Sequence, residues 1–216
     1  MDLQTKKFRT GFILFMVSQI MVTLSTLSMG SEFKALPSWL GLFIVFEFFA
    51  LITFFFAMLK LYKLNKNFTY AFITYGIYFT MTVFADVSSQ STSDFYLAWS
   101  RAMDLICRIL LCVFYIYSFL GFYHYFKEIG LEKGAKKMRV GYLSFAGMFL
   151  IERVFTFLST LKAIKLNLVA YTIFKYGAWA LNFAIEIYIL VMLILVFVIY
   201  EKYRKEGGKK NEEVSQ

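Results

Sequence analysis

The sequence predicts an all-α polytopic membrane protein, a six-transmembrane-helix bundle with both termini cytoplasmic. Hydrophobic residues make up 60% of the 216 residues, and the mean hydropathy is +0.63. Near-continuous apolar runs of about 20 residues recur along the chain, and this length crosses the hydrocarbon core of a bilayer. The loops between the runs alternate between strongly and weakly basic. We therefore expect lipid to be the main solvent of this chain.

The apolar runs begin and end at polar or charged segments. The first starts at Gly11 after a basic segment, and the second starts at Trp39, beyond Pro37, the single proline. Lysine-rich loops separate the second run from the third and the fourth from the fifth. The last run is too long for one perpendicular crossing, so its start, to about Lys175, should protrude, tilt or lie at the interface. The predicted spans are about 11–29, 39–61, 68–85, 105–126, 140–161 and 168–200.

Short connections predict antiparallel neighbours and a single transmembrane domain over residues 1–200. The charged tail, residues 201–216, contains Gly207-Gly208 and only one apolar residue, Val214. We expect this tail to extend the last helix briefly and then to be disordered.

The distribution of positive charge predicts the topology. One set of loops carries 16 lysines and arginines, within residues 6–9, 60–66, 127–139 and 202–210, and the other set carries four. The positive-inside rule then places both termini in the cytoplasm. The first run is alternatively a signal peptide, but no A-x-A cleavage site follows it. The lysine- and glutamate-rich tail and the phenylalanine content suit a prokaryotic cell membrane.

Polar residues follow helical spacing within the apolar runs. In the last span, Lys175, Trp179, Asn182 and Glu186 are spaced i, i+4, i+7 and i+11, which is one face of a helix. Four other spans carry similar stripes: Gln19, Thr23 and Thr26; Tyr75, Tyr78, Thr82 and Asp86; Arg101, Asp104 and Arg108; and Glu152, Thr156 and Ser159.

The predicted topology places these stripes in the outer half of the membrane. A charge inside a span is costly unless it is paired or hydrated, so we expect the stripes to face the bundle interior. The phenylalanine-rich faces, such as Phe54, Phe55 and Phe56, should then meet lipid. The candidate ligand- or ion-binding residues are Glu47, Asp104, Arg108, Glu152, Arg153, Lys175, Asn182 and Glu186.

Two functions fit this pattern. The first is binding of a small polar ligand or ion in an outward-facing intramembrane cavity, in uptake or sensing. The second is a non-transporting structural or assembly subunit, whose polar network packs its own helices or docks a partner membrane protein. Replacement of Glu186 by Gln should separate them. A cavity role predicts a lost response with folding intact, and a structural role predicts a loss of about 3 to 5 kcal/mol because a buried base loses its partner.

Aromatic residues toward the inner end of the fourth span predict an interfacial belt: Tyr115, Tyr117, Tyr123, His124 and Tyr125. Because His124 is the only histidine, a multi-histidine metal site or bis-histidine haem is excluded.

Other chemistry lacks sequence support. H-E-x-x-H, G-x-S-x-G, P-loop and G-x-G-x-x-G motifs are missing. Cys107 and Cys112 lie about 140° apart on one helix and form no metal or redox motif. We therefore predict no enzyme, no catalytic residue, no cofactor and no metal. The net charge of +9 follows from membrane topology and does not indicate nucleic-acid binding.

Overall fold

The computed structural model describes residues 3–28, 45–88, 94–161 and 166–214. Within these ranges the chain forms helices and no strand, which confirms the all-α prediction for the described residues. The helices are α1 (Leu3–Ser28), α2 (Val45–Leu61), α3 (Lys66–Ser88), α4 (Asp94–Glu128), α5 (Glu132–Thr160) and α6 (Leu168–Val214).

Four of these helices are long and apolar enough to cross a membrane. The qualifying segments are Leu3–Thr26, Leu105–Glu128, Glu132–Ser159 and Leu168–Lys205. They overlap the predicted first, fourth, fifth and sixth spans. The part of the predicted second span from Trp39 to residue 44 lies outside the described residues, and α2 covers the remaining 17.

The helices pack as a closed ring in chain order. Each described helix packs against the helix before it and the helix after it, and α1 also packs against α6. α1 begins, α4 ends and α5 begins at the same end of this ring. Most of the lysines and arginines lie there, and we call it the basic end.

Contacts between α1 and α6 define levels along the bundle. At the basic end, Arg9 Nε lies 2.6 Å from Glu201 Oε1. Further along, the Gln19 side chain donates a hydrogen bond to Glu186. At 1.5 Å per residue, Gln19 is about 15 Å from Arg9 along the axis of α1. The Gln19 level therefore lies near the middle of the predicted span 11–29.

Aromatic side chains fill the interior between the basic end and this level. Phe122 of α4 is the hub of this aromatic core, with rings from α1 and α3 packed edge-on around it. Its ring centroid lies 4.6 Å from that of Phe12, 5.4 Å from Phe15 and 5.0 Å from Phe68. Such pairs each contribute about 0.5 to 1.5 kcal/mol beyond area burial. The aromatic core comprises Phe8, Phe12, Phe15, Phe54, Phe68, Phe114, Phe122 and Phe126, each no more than 2% exposed.

Helices α3 and α4 pack closely at Gly121. A Cβ atom at Gly121 would lie 2.5 Å from the Phe68 ring, so the absence of a side chain permits the contact. The Gly121 carbonyl accepts a hydrogen bond from Asn65 Nδ2 at 2.9 Å, and Asn65 Oδ1 accepts one from the Phe68 amide at 3.1 Å. These bonds attach the turn between α2 and α3 to α4.

The sixth helix is longer than the sequence predicted. It runs to Val214, and the disorder expected for the tail stays a prediction. Glu201 pairs with Arg204 one turn further on, at 2.9 Å. A pair at this spacing stabilises a helix that has left the apolar span.

Candidate functional site

A three-residue hydrogen-bonded network crosses the interior just beyond the aromatic core. Gln19 of α1 donates through its amide to the carboxylate of Glu186 on α6. The carbonyl oxygen of the same amide accepts a hydrogen bond from the Tyr115 hydroxyl of α4 at 2.8 Å. Exposure is 0% for Gln19, 2% for Tyr115 and 7% for Glu186. The network thus joins three helices through groups removed from the surface, and we call it the central network.

Glu186 is held by a neutral amide. Among the residues that the structure describes, no lysine or arginine forms an ion pair with it. A buried carboxylate without a cationic partner has a high desolvation cost in a membrane interior. A positive charge bound beside the carboxylate would offset this cost.

Hydroxyl groups of α1 continue from the central network toward the end opposite the basic end. The Thr23 hydroxyl donates to the backbone carbonyl of Gln19 at 2.9 Å, and the Thr26 hydroxyl donates to the backbone carbonyl of Val22 at 3.0 Å. Trp179 Nε1 of α6 donates to the Thr26 carbonyl at 3.2 Å. The structure thus buries the predicted stripe of Gln19, Thr23 and Thr26, with exposures of 0%, 9% and 5%.

Helix α5 carries a second polar group that is satisfied largely within itself. Glu152, 3% exposed, accepts hydrogen bonds from its neighbour Arg153 and from Thr156, the latter at 2.9 Å. The Arg153 guanidinium also lies 5.1 Å from the centre of the Phe149 ring. No hydrogen bond joins Glu186 to Glu152 or Arg153 in the part of the chain that the structure describes. Glu152 and Glu186 therefore belong to two different hydrogen-bonded groups.

A third group lies between α3 and α4. The Thr82 hydroxyl is 3.9 Å from the Cys107 sulfur. The next residue of α4, Arg108, is half-buried. Arg108 of α4 and Glu47 of α2 both act electrostatically on the Tyr78 hydroxyl of α3.

Glu47 lies in the first turn of the described α2. Its side chain is exposed, yet it acts electrostatically on the Tyr78 hydroxyl of α3, and its role in binding stays a prediction. A carboxylate at this position interacts favourably with the amino-terminal end of the helix dipole.

The remaining candidates lie on α4 and α6. Asp104 belongs to α4, and its side chain lies outside what the structure describes. Lys175 and Asn182 lie on α6 between its first residue and Glu186, and both are half-buried. Their role in binding stays a prediction.

Sequence reasoning misplaced one member of the central network. Tyr115 was assigned to the interfacial belt, yet its ring is buried and its hydroxyl bonds to Gln19. The signal was its spacing: Tyr115 lies seven residues after Arg108, on the face that also carries Asp104. The aromatic residues that follow it masked this continuation of the stripe.

Within the described residues, no three histidine, cysteine, aspartate or glutamate side chains come together in a way that could hold a metal ion. Comparisons of the chain with protein-family models, with curated proteins and with solved structures give no match. Functional inference therefore depends on the geometry of the chain itself.

Proposed function

We propose that the chain is a prokaryotic membrane protein with six membrane-spanning helices and cytoplasmic termini, and that it binds a small ligand or ion in its outer half. The ligand carries positive charge, as a proton or a small cation, and Glu186 is its central acid. Uptake and sensing are the two roles compatible with such a site.

The ring arrangement supports six crossings. Helices α1 and α4 are each long and apolar enough to span the bilayer. Helix α2 packs on α1, and helix α3 packs on α4. A helix packed lengthwise beside a spanning helix crosses the same slab of lipid. The gathering of basic residues at one end supports the cytoplasmic placement of that end.

The observation that carries the functional proposal is the environment of Glu186. A carboxyl group that served only as a structural bridge would be expected to pair with a base, as Glu152 does with Arg153. Glu186 instead accepts a hydrogen bond from the Gln19 amide, whose oxygen accepts one from the Tyr115 hydroxyl of α4. Carboxylate, carbonyl and hydroxyl oxygens are the donors that small hard cations prefer.

Thiol labelling tests whether the outer half is wet. Single cysteines at Asn182 and Thr156, in a variant lacking both native cysteines, would be exposed to a membrane-impermeant maleimide from outside. We expect both to react, together with a positive control at Leu166, which is 80% exposed. A cysteine at Phe122 in the aromatic core should stay unlabelled. Reaction at Leu166 alone would contradict a wet cavity.

Cation-dependent stability tests the role of Glu186. Thermal unfolding of the purified protein would be compared in sodium chloride and in choline chloride at equal ionic strength, across pH 5 to 8. A ligand at one hundred times its Kd stabilises by about 2.7 kcal/mol, a shift of several degrees. We expect Glu186→Gln to abolish the response and Glu152→Gln to preserve it. An unchanged response in Glu186→Gln would overturn the assignment.

A structural or assembly role is the second candidate, and one observation favours it. The hydrogen bonds of Gln19 connect α1, α4 and α6 and would hold three helices in register without any ligand. In that case the cysteines at Asn182 and Thr156 stay unlabelled, and sodium does not change the melting temperature through Glu186. The search would then turn to a partner membrane protein.

A further inference from the structure

The first turns of α5 present three lysines on one face at the basic end. Lys133, Lys136 and Lys137 are all exposed, at the spacing i, i+3 and i+4 that places side chains together on a helix. The opposite face of the same turns is buried through Ala135 and Met138, which are 5% and 0% exposed. The lysines therefore point away from the bundle as a compact cationic group.

These lysines form no ion pair within the described residues. Two exposed acids lie near them in sequence: Glu132, four residues before Lys136, and Glu128 at the end of α4. At this end, Glu201 of α6 pairs with Arg9 of α1 and with Arg204. Three ammonium groups are thus available to an anion.

Exposed apolar residues continue from the lysines along the same face of α5, and we call Val140, Leu143 and Leu150 the apolar lane. Val140 lies seven residues after Lys133, and Leu143 lies seven after Lys136, so each lies two turns further along. Exposures are 53% at Val140, 58% at Leu143 and 66% at Leu150. From Val140 to Leu150 the lane is about 15 Å long, which is half of a bilayer's hydrocarbon core.

We propose that this face of α5 binds an anionic glycerophospholipid, with the phosphate on the three lysines and an acyl chain along the apolar lane. Charge complementarity selects the head group, and the lane supplies the apolar contact that a free phosphate cannot use. The site lies on the outer surface of the ring and does not involve Glu186, so it rests only on insertion of the chain in a membrane. It goes beyond the general positive-inside bias because the charges form one cluster above one lane.

Native mass spectrometry of the full chain in neutral detergent tests this. The probes are phosphatidylglycerol, phosphatidylcholine and glycerol 3-phosphate. We expect phosphatidylglycerol to be retained and the other two to be lost. The variant Lys133→Gln, Lys136→Gln, Lys137→Gln should weaken retention by on the order of a hundredfold, since each lysine contributes about fivefold.

A matched control removes the same charge from the same end. Lys60, Lys63 and Lys66 are exposed but lie on α2, the turn and α3, so their replacement by Gln should change retention less than threefold. Leu143→Gln should reduce retention severalfold with the lysines intact, and circular dichroism would verify the helical content of every variant. Equal losses in both triple variants would overturn the site in favour of general attraction. Retention of glycerol 3-phosphate like the lipid, or of phosphatidylcholine like phosphatidylglycerol, would overturn it as well.

Discussion

Replacement of Gln19 by Leu should destabilise the protein more than any other single change in the central network. Leu has a similar volume but neither donates nor accepts hydrogen bonds. The substitution removes the bond to Glu186 and the bond from Tyr115 at once. Each buried group left unsatisfied costs about 1 to 3 kcal/mol, and measured bonds in membranes lie toward the low end. We therefore expect a total loss of about 2 to 4 kcal/mol.

Substitutions of the two partners of Gln19 should each cost less stability than Gln19→Leu. Tyr115→Phe removes one of the two bonds, so it should cost about 1 to 2 kcal/mol, half of the Gln19→Leu loss. Glu186→Gln retains an acceptor for the Gln19 amide and leaves no base without a partner, so it should cost less than about 1 kcal/mol. The loss of about 3 to 5 kcal/mol expected for a structural role required a buried lysine or arginine beside Glu186, and among the described residues none forms an ion pair with it.

Equilibrium unfolding in mixed detergent micelles, followed by circular dichroism, would measure these free energies. Gln4→Leu is the matched control, since Gln4 is on the same helix and exposed. Its effect should stay within about 0.5 kcal/mol. A Gln19→Leu loss no larger than that of Tyr115→Phe would refute the reasoning, because it would mean that Gln19 does not bridge both partners.

Three further substitutions test one packing contact and two polar contacts of the bundle by the same unfolding measurement. Gly121→Ala forces a methyl group against the facing phenylalanine ring and should cost about 1 to 3 kcal/mol, whereas Gly76→Ala, with open space at its Cβ, should not destabilise the protein. Glu201→Gln should cost only about 0.5 to 1 kcal/mol, and less in high salt, since its partner Arg9 is 41% exposed. Glu152→Gln should cost about 1 to 3 kcal/mol because charge-assisted bonds on α5 are lost. A salt-independent Glu201→Gln loss, or a neutral Gly121→Ala or Glu152→Gln, would contradict these assignments.

Sequence periodicity predicted the burial of polar residues that share a face with one another. On α1, the spacing of Gln19, Thr23 and Thr26 implied one buried stripe, and the structure has all three in the interior. On α5, Glu152 and Thr156 were predicted to share a face, and the two are hydrogen-bonded. These predictions use only the 100° step of the helix, so they need no knowledge of the neighbouring helices.

Residues whose environment depends on another helix were harder to predict. Three consecutive phenylalanines cannot share one face, and the structure has Phe54 2% exposed in the aromatic core while Phe55 and Phe56 are 38% and 52% exposed. Which ring turns inward depends on the angular position of α2 against α1 and α3. Tyr115 was misplaced for the same reason, since its partner on α1 is 96 residues away in sequence.

The division of the interior into an aromatic half and a polar half limits how the proposed site can operate. The aromatic core lies between Glu186 and the basic end, so a ligand at Glu186 exchanges through the hydroxyl-lined half beside Thr23 and Thr26. Sensing requires only this exchange, together with a change in the hydrogen bonds that Gln19 makes to α4 and α6. Uptake requires in addition that rings such as Phe12, Phe122 and Phe126 separate, and each lost edge-on pair costs about 0.5 to 1.5 kcal/mol. Ligand-dependent reactivity of a cysteine at Phe122 from the cytoplasmic side would therefore indicate transport, and its absence beside a sodium-dependent melting temperature would indicate sensing.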